Sequence, residues 1–149
     1  MIRTLIPIAL TSVVLSGCQS VAGNNADAEL SLLRLEVGTC LNDVEQPIGQ
    51  DMTDVPLIPC DEPHESEVFA EIVLNDESFP GIDAITEAAS TGCLEEFSRF
   101  IGVDYQDSAL SFHYYYPTET SWSVGDRSIF CVGFEPGALT TGTLADSKR

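Results

Sequence analysis

The apolar residues of this chain are most regularly spaced between positions 82 and 101, where they predict a helix. They recur there every three or four residues, which places them on one helical face. The residues of this face are Ile85, Ala89, Cys93, Phe97, Phe100 and Ile101. Gly92 could break the helix into two shorter ones, because glycine is unfavourable in a helix interior. Gly102 is a natural C-terminal end.

Shorter stretches on both sides of this helix alternate between apolar and polar residues, as β-strands do. The predicted strands are Leu33–Leu41, Val55–Cys60, Ser66–Leu74, Leu110–Tyr116 and Arg127–Glu135, with a short final candidate at Thr141–Leu144. Two prolines favour an edge position for the second strand. We predict loops at 42–54 and 117–126, and a frayed tail at 146–149. This order predicts an α+β fold, in which a small antiparallel sheet packs against one main helix.

The alternation also predicts which strand residues share a face of the sheet. In the third strand these are Val68, Ala70, Ile72 and Leu74, and in the fourth they are Leu110, Phe112, Tyr114 and Tyr116. In the fifth strand, Ile129, Cys131 and Gly133 face one way, and Phe130, Val132 and Phe134 face the other. The simplest interpretation of the fourth strand is a core face. Alternatively, its two tyrosines and Trp122 could form an aromatic platform for a glycan.

The first seventeen residues have the pattern of a secretory signal peptide. One positive charge precedes an apolar run from Leu5 to Leu15, which is too short to cross a bilayer of roughly 30 Å as a helix. The run ends in Leu-Ser-Gly-Cys, with Cys18 last. This resembles the lipobox of bacterial lipoproteins, and the resemblance implies lipidation of Cys18 and cleavage just before it. The alternative is an ordinary signal peptide with a chance cysteine.

Lipidation would attach the mature chain to the extracytoplasmic face of the cell membrane. Two or more acyl chains, such as palmitate, are needed for stable anchoring. Residues 18–32 are mostly small and polar, which predicts a flexible tether about 20 Å long between the lipid and a domain at 33–145.

Charge limits the partners of this domain. The 149 residues include 24 acidic and 6 basic side chains, for a formal net charge of −18. Binding to a nucleic acid backbone or to anionic lipid headgroups requires clustered cations. The sequence therefore predicts no nucleic acid partner, and the lipid alone would hold the chain at the membrane.

Four cysteines remain when Cys18 is set aside: Cys40, Cys60, Cys93 and Cys131. An even number in an exported domain predicts two disulfides. We favour the pairs Cys40–Cys60, between the ends of two early strands, and Cys93–Cys131, between the helix and a late strand. A zinc site is the alternative, but the cysteines are widely spaced and include no Cys-x-x-Cys pair.

The segment Asp61-Glu62-Pro63-His64-Glu65 and the following Glu67 concentrate carboxylates around one of the two histidines. Such groups could bind a divalent cation or perform acid–base chemistry. A structural interpretation competes, in which His64 makes a local hydrogen bond in a turn. We carry His64 and Glu67 forward as candidate interaction residues and predict no metal.

A second candidate group precedes the last long strand, where Gly125, Asp126 and Arg127 follow Trp122. The structural interpretation is an ion pair, or a carboxylate that caps the turn. Alternatively, Arg127 could recognise a ligand or a partner. We carry Trp122, Asp126 and Arg127 forward as candidate interaction residues.

The domain resembles the actinobacterial septum-formation domain family over most of the range 35–144. The resemblance depends on four pieces in order: Val37-Gly38-Thr39-Cys40; Cys60-Asp61-Glu62-Pro63-His64-Glu65-Ser66-Glu67-Val68-Phe69; Gly92-Cys93 with Phe97 and Phe100-Ile101-Gly102; and Trp122 with Gly125-Asp126-Arg127 and Cys131. It implies a role in septum formation during division and supplies no catalytic residues. Many relatives are anchored by a membrane helix, and this chain differs from them in its lipobox.

The sequence lacks the Gly-x-Ser-x-Gly, Ser-x-x-Lys, His-Glu-x-x-His and phosphate-loop motifs. We therefore expect no catalysis and no cofactor. The leading hypothesis is an interaction module at the cell envelope with an envelope or division protein as partner. The alternatives are a lipoprotein that binds a small ligand, glycan or cation, and a hydrolase with an unrecognised site.

Overall fold

The computed structural model describes residues 35–43 and 55–149. Within them, five strands form one antiparallel sheet in the order β2-β1-β3-β5-β4. The strands are β1 (Cys40–Leu41), β2 (Leu57–Ile58), β3 (Ser66–Val73), β4 (Ser111–Tyr115) and β5 (Ser128–Phe134). The proline-flanked β2 lies at one edge, as predicted. The predicted signal peptide, Cys18 with its tether, and most of the predicted loop at 42–54 lie outside the described residues.

Helix α1 (Ile82–Ile101) packs across one face of this sheet. It has the predicted bounds and buried stripe, and Gly102 ends it in a left-handed conformation. Gly92 does not break it. A Cβ atom at this position would overlap Cδ1 of Ile72 on β3, so the glycine leaves room for the end of that side chain. The mixed α+β fold is confirmed.

A β-bulge at Phe69 changes the predicted faces of β3. Val68 pairs with Val132, but the next paired residue is Ala70, opposite Cys131. The extra residue reverses the alternation, because two residues of one strand then oppose one of the other. Ala70, Ile72 and Leu74 pack on the helix side, whereas Val68 belongs to the apolar cluster on the opposite side. The prediction that Val68 shares their face was wrong. The predicted core face of β4 does pack on the helix side.

Both predicted disulfides are present. Cys40–Cys60 joins the β1 and β2 segments, and Cys93–Cys131 joins α1 to β5. All four sulfur atoms are therefore bonded to one another in pairs, and the zinc alternative does not apply to these cysteines in this state.

The start of the first strand and the loop before β5 were predicted wrongly. Within the described part of the predicted first strand, residues 35–41, only Cys40–Leu41 form a strand, because residues 36–39 form a turn with Gly38 at a φ of 92°. The predicted loop at 117–126 contains a short helix, α2 (Glu119–Ser123). Thr118 and Ser121 begin α2 with reciprocal side-chain-to-backbone hydrogen bonds, which satisfy amides that a loop would leave to solvent.

The C-terminal segment also differs from the prediction. Instead of a strand at Thr141–Leu144, a single bridge forms between Thr140 and His64. The tail is not frayed: the amides of Asp146 and Lys148 donate to the carbonyls of Phe100 and Ile101. These are carbonyls at the end of α1, which have no partners within the helix. The tail thus takes the place of solvent at the helix terminus. A three-residue 3₁₀ turn, Tyr105–Asp107, follows α1 and was not predicted.

Among the described residues, no helix combines the length and the apolar character needed to cross a bilayer.

Candidate functional site

The structure separates the five candidate interaction residues into two groups. Glu67 pairs with Gly133 near one end of β3 and β5, and His64 lies just beyond this end. Arg127 directly precedes Ser128, which pairs with Val73 at the other end. Val73 is six positions after Glu67 along β3, which is roughly 20 Å of extended chain. The five residues therefore do not form one site.

His64 is fully buried. Its backbone amide and carbonyl pair with Thr140 at 2.9 and 2.8 Å, and its Nδ1 lies 2.8 Å from the carbonyl oxygen of Glu62. Because a carbonyl oxygen only accepts hydrogen bonds, Nδ1 carries the proton and donates it. His64 fastens the turn before β3 to the C-terminal segment, and its side chain is not at the surface.

Glu67 is also buried, beside the C-terminal segment. One carboxylate oxygen accepts a hydrogen bond from the Thr143 hydroxyl at 2.7 Å, and the other accepts one from the Leu144 amide at 2.5 Å. The Sγ atoms of Cys40 and Cys60 lie within 4.8 Å of this carboxylate. Glu67 thus connects β3 to residues 76 and 77 positions later and stands next to a disulfide.

Trp122, Asp126 and Arg127 form the second group, which holds α2 against β5. The guanidinium carbon of Arg127 lies 3.8 Å from the centroid of the buried Trp122 ring, and its Nη1 donates to the carbonyls of Trp122 and Asp126. The Asp126 carboxylate accepts hydrogen bonds from the Ser121 hydroxyl and the Ser128 amide, at 2.9 and 3.1 Å. All three side chains thus have roles within the fold.

The aromatic side chains considered for a glycan platform do not share one open surface. Trp122 is buried against Phe79, with ring centroids 5.7 Å apart. Tyr114 and Tyr116 are partly buried and pack on the helix-side core.

A polar cluster that the sequence analysis missed lies on the sheet face opposite α1. It centres on the buried carboxylate of Asp43. Its Oδ1 accepts from the Ser66 hydroxyl at 2.5 Å, and its Oδ2 accepts from Tyr115 and His113 at 2.6 and 2.9 Å. We call Asp43, Ser66, His113 and Tyr115 the Asp43 cluster. It joins the segment after β1 to β3 and β4.

The donors around Asp43 also decide the direction in which its pKa is shifted. Burial alone raises the pKa of a carboxyl group, since the charged form loses hydration. Hydrogen bonds from His113, Ser66 and Tyr115, with the positive charge of His113, outweigh burial and hold the pKa of Asp43 below its ordinary 3.8. Burial, and then the hydrogen bond to Asp43, raise the pKa of the Tyr115 hydroxyl. Asp43 is therefore an anion and Tyr115 a neutral donor near neutral pH.

The Asp43 cluster contains an aspartate, a histidine and a serine, but not in the order that nucleophilic catalysis requires. That chemistry needs the serine hydroxyl to donate to the imidazole, and the imidazole to donate to the aspartate. Here Ser66 and His113 both bind the carboxylate. The arrangement is suited to fixing three segments in place.

One signal for this cluster was present in the sequence. His113 and Tyr115 alternate with the apolar residues of β4, so they had to face away from α1. Asp43 gave no local signal, because it lies 70 positions before His113 in a polar segment.

Comparisons with known proteins identify a family. No curated protein and no solved structure matches this chain. The model of the family described as septum formation matches residues 11–131, which is most of the chain. The match ends at Cys131, so the C-terminal segment that binds His64 and Glu67 lies beyond it. The chain belongs to the septum-formation family, which indicates a role in septum formation or cell division.

Proposed function

We propose that this protein is a lipid-anchored, noncatalytic interaction module on the extracytoplasmic face of the cell membrane, and that it contributes to septum formation by binding an envelope or division protein. The match to the septum-formation family carries this proposal. The N-terminal pattern supports anchoring at the membrane. The structural use of the polar side chains supports the noncatalytic part of the proposal.

The anchoring part of the proposal rests on residues 1–18. The apolar run before Cys18 is long enough for a signal peptide and too short for a membrane-spanning helix. Acyl chains on Cys18 would hold the protein at the membrane, and residues 19–32 would give the domain reach. A net charge of −18 leaves the domain without electrostatic attraction to anionic headgroups, so attachment would depend on the lipid.

The noncatalytic part of the proposal is supported by how the polar side chains are used. Both carboxylate oxygens of Asp43 accept hydrogen bonds from within the fold. Arg127 donates hydrogen bonds to backbone carbonyls and packs over the Trp122 ring. These contacts account for both charged side chains without a substrate.

Crosslinking in native envelopes, followed by purification of the tagged full-length protein and mass spectrometry, tests the proposal. We expect division or wall-synthesis proteins in the wild-type sample and their loss from a Cys18→Ala sample. Ser20→Ala, which changes a neighbouring residue outside the lipobox, is the matched control and should keep the partners. Recovery of the same partners from the Cys18→Ala sample would contradict the need for anchoring, and absence of specific partners from wild type would contradict the interaction module.

Metabolic labelling with a palmitate analogue tests the anchor separately. Wild type and Ser20→Ala should both carry label, and Cys18→Ala should carry none. An inhibitor of signal peptidase II should cause the wild-type precursor to accumulate at a higher mass. Label on Cys18→Ala would show that the lipid is attached elsewhere.

A further inference from the structure

The two disulfides differ in how they can be reached. Cys93 and Cys131 are completely buried in the core between α1 and β5. Cys40 is 1% exposed, but its partner Cys60 is partly exposed, in a turn that follows the edge strand β2. The Cys60 side of the Cys40–Cys60 bond is therefore the side that is open to solvent, while the Cys40 side is shielded.

A buried acid accompanies the accessible disulfide. Glu67 is the cross-strand partner of Cys40, and its carboxylate lies within 4.8 Å of both sulfur atoms. Both hydrogen bonds that it receives come from uncharged groups, the Thr143 hydroxyl and the Leu144 amide. The described residues therefore place a buried carboxylate, held by two neutral donors, next to this bond.

We propose that Cys40 and Cys60 form a thiol–disulfide exchange site for a protein dithiol, with Glu67 as the proton acceptor for Cys40. A partner thiolate, whose proton has gone to solvent, attacks Sγ of Cys60. The Cys40–Cys60 bond breaks, and Cys40 leaves as a thiolate that takes up a proton from solvent. The second partner thiol then loses its proton and attacks the partner's own sulfur in the mixed disulfide. This attack releases Cys60 as a thiolate, which is protonated in turn, and leaves the partner with a disulfide. Two electrons and two protons thus move from the partner to this chain, and the exchange is stoichiometric, with one partner dithiol oxidised for each Cys40–Cys60 bond.

Glu67 acts in the reverse reaction, in which Cys40 attacks the mixed disulfide at Cys60 and releases the partner. The Cys40 thiol must lose its proton before it can attack Cys60 Sγ, because the thiolate is the nucleophile. Breaking the sulfur–sulfur bond frees the Cys40 side chain to turn toward the carboxylate that already lies nearby. The proton passes to Glu67, the Cys40–Cys60 bond forms again, and the partner leaves as a thiolate.

The surroundings of Cys60 favour a protein partner over a small anionic thiol. Asp61 and Glu62 directly follow it and are exposed, so they repel anions. Exposed apolar side chains lie on the segments around it. One is Val37, beside the Gly38 carbonyl that lies 3.4 Å from Cys60 Sγ, and another is Leu57 on β2. The third is Leu139, three positions before Gly142, whose amide donates to the Cys60 carbonyl. A neutral or cationic protein surface around a dithiol fits this edge.

Graded reduction of the folded protein is the first test. The protein is incubated with rising concentrations of dithiothreitol, a neutral dithiol, then alkylated and mapped by mass spectrometry. We expect Cys40 and Cys60 to be alkylated at reductant concentrations that leave Cys93–Cys131 intact, which makes the buried pair an internal control. Reduction of both pairs together would overturn the proposal.

The resolution step is the second test. The reduced Cys40–Cys60 pair is mixed with 2,2′-dithiodipyridine, and the release of thiopyridine that accompanies ring closure is followed against pH. Glu67→Gln should slow closure by about tenfold or more near neutral pH, as expected for loss of a positioned base. The difference should vanish at alkaline pH, where the thiol ionises unaided. Glu71→Gln, at an exposed position on the same strand, should behave as wild type.

The wild-type pH profile keeps this test decisive if Glu67→Gln does not fold. Unassisted closure falls about tenfold per pH unit below the ordinary thiol pKa of about 8.5. Assisted closure should fall much less between pH 8 and pH 6 (about twofold to fivefold). A tenfold fall per unit in wild type, or equal profiles for wild type and a folded Glu67→Gln, would overturn the role of Glu67.

A pair of synthetic dithiol peptides tests the class of partner. The two peptides share one Cys-x-x-Cys core and differ only in flanking lysines or glutamates. The lysine peptide should reduce Cys40–Cys60 faster at low ionic strength, and the difference should shrink at high salt. Equal rates at low ionic strength would overturn the preference for a cationic partner.

Discussion

Buried polar residues hold β3 to distant parts of the chain. Ser66 and Glu67 are consecutive, yet their side chains point to opposite faces of the sheet, toward Asp43 on one side and the C-terminal segment on the other. Such contacts join residues up to 77 positions apart. No local sequence pattern marks the two carboxylates, because an acidic residue in a polar segment looks the same in the sequence whether it is buried or exposed. Sequence analysis therefore found Glu67 only as a member of an acidic segment and missed Asp43.

Asp43→Asn should destabilise the protein by about 1–3 kcal/mol, because the amide nitrogen cannot accept hydrogen bonds that the carboxylate accepts and leaves a buried donor unpaired. Urea unfolding with intact disulfides measures this change. Asp76→Asn is the matched control at an exposed position, where the same substitution should change the free energy of unfolding by less than about 0.5 kcal/mol. Equal effects of the two variants would show that the Asp43 cluster does not stabilise the fold.

The contribution of Asp43 should also depend on pH. Its pKa in the folded protein lies below the ordinary 3.8, so folding is favoured when the group is ionised. This contribution is present in full above about pH 4 and is lost as the pH falls through the folded-state pKa. The difference in the free energy of unfolding between wild type and Asp43→Asn should therefore shrink below about pH 4. A difference that is constant from pH 7 to pH 2.5 would contradict the assignment.

Secondary-structure elements were predicted correctly where the same spacing of apolar residues continues over many positions. Helix α1 has five turns of consistent apolar spacing, so its bounds were predicted correctly. The prediction failed where a single residue changes the local geometry. One extra residue at Phe69 reverses the faces of β3, and one capping pair, Thr118 and Ser121, converts a predicted loop into α2.

Gly92 allows a prediction about how α1 and β3 fit together. Alanine should favour the helix by about 1 kcal/mol, but its Cβ would overlap Cδ1 of Ile72, the end of a partly buried side chain that would have to turn aside. This displacement offsets part or all of the gain, so Gly92→Ala should stabilise wild type by less than about 1 kcal/mol. In an Ile72→Val background, which lacks Cδ1, the stabilisation should be larger.

The double-mutant cycle needs a control on the same helix. Thr91→Ala, at an exposed position beside Gly92, should have the same effect in both backgrounds. Unfolding free energies of the single and double variants measure the coupling. Thr91→Ala should show no coupling to Ile72→Val. If Gly92→Ala shows none either, the contact with Ile72 is not the reason for a glycine at position 92.

At the scale of the whole molecule, the class of fold and both disulfides could be predicted from the sequence. The order of the strands could not. The succession of strands does not show that β5 lies between β3 and β4, because sheet order depends on contacts between segments. The C-terminal segment was misjudged for the same reason. Its polar residues predicted fraying. In the structure the segment forms hydrogen bonds with the end of α1, with His64 and with Glu67.

The C-terminal segment should therefore be part of the cooperative fold, although the family match ends at Cys131. Leu144 is completely buried and packs with the core between α1 and the sheet, whereas Leu139 is 61% exposed in the same segment. Leu144→Ala should lower the free energy of unfolding by about 2–5 kcal/mol, since it leaves a cavity next to Gly133 and Phe69.

Leu139→Ala is the matched control, and it should lower the free energy of unfolding by less than about 0.5 kcal/mol. Urea unfolding of both variants, with the disulfides intact, makes the comparison. Hydrogen exchange adds a local measurement: in Leu144→Ala, the amides of Asp146 and Lys148 should lose protection together with those at the end of α1. Equal stability of the two variants would mean that the C-terminal segment is not part of the cooperative fold.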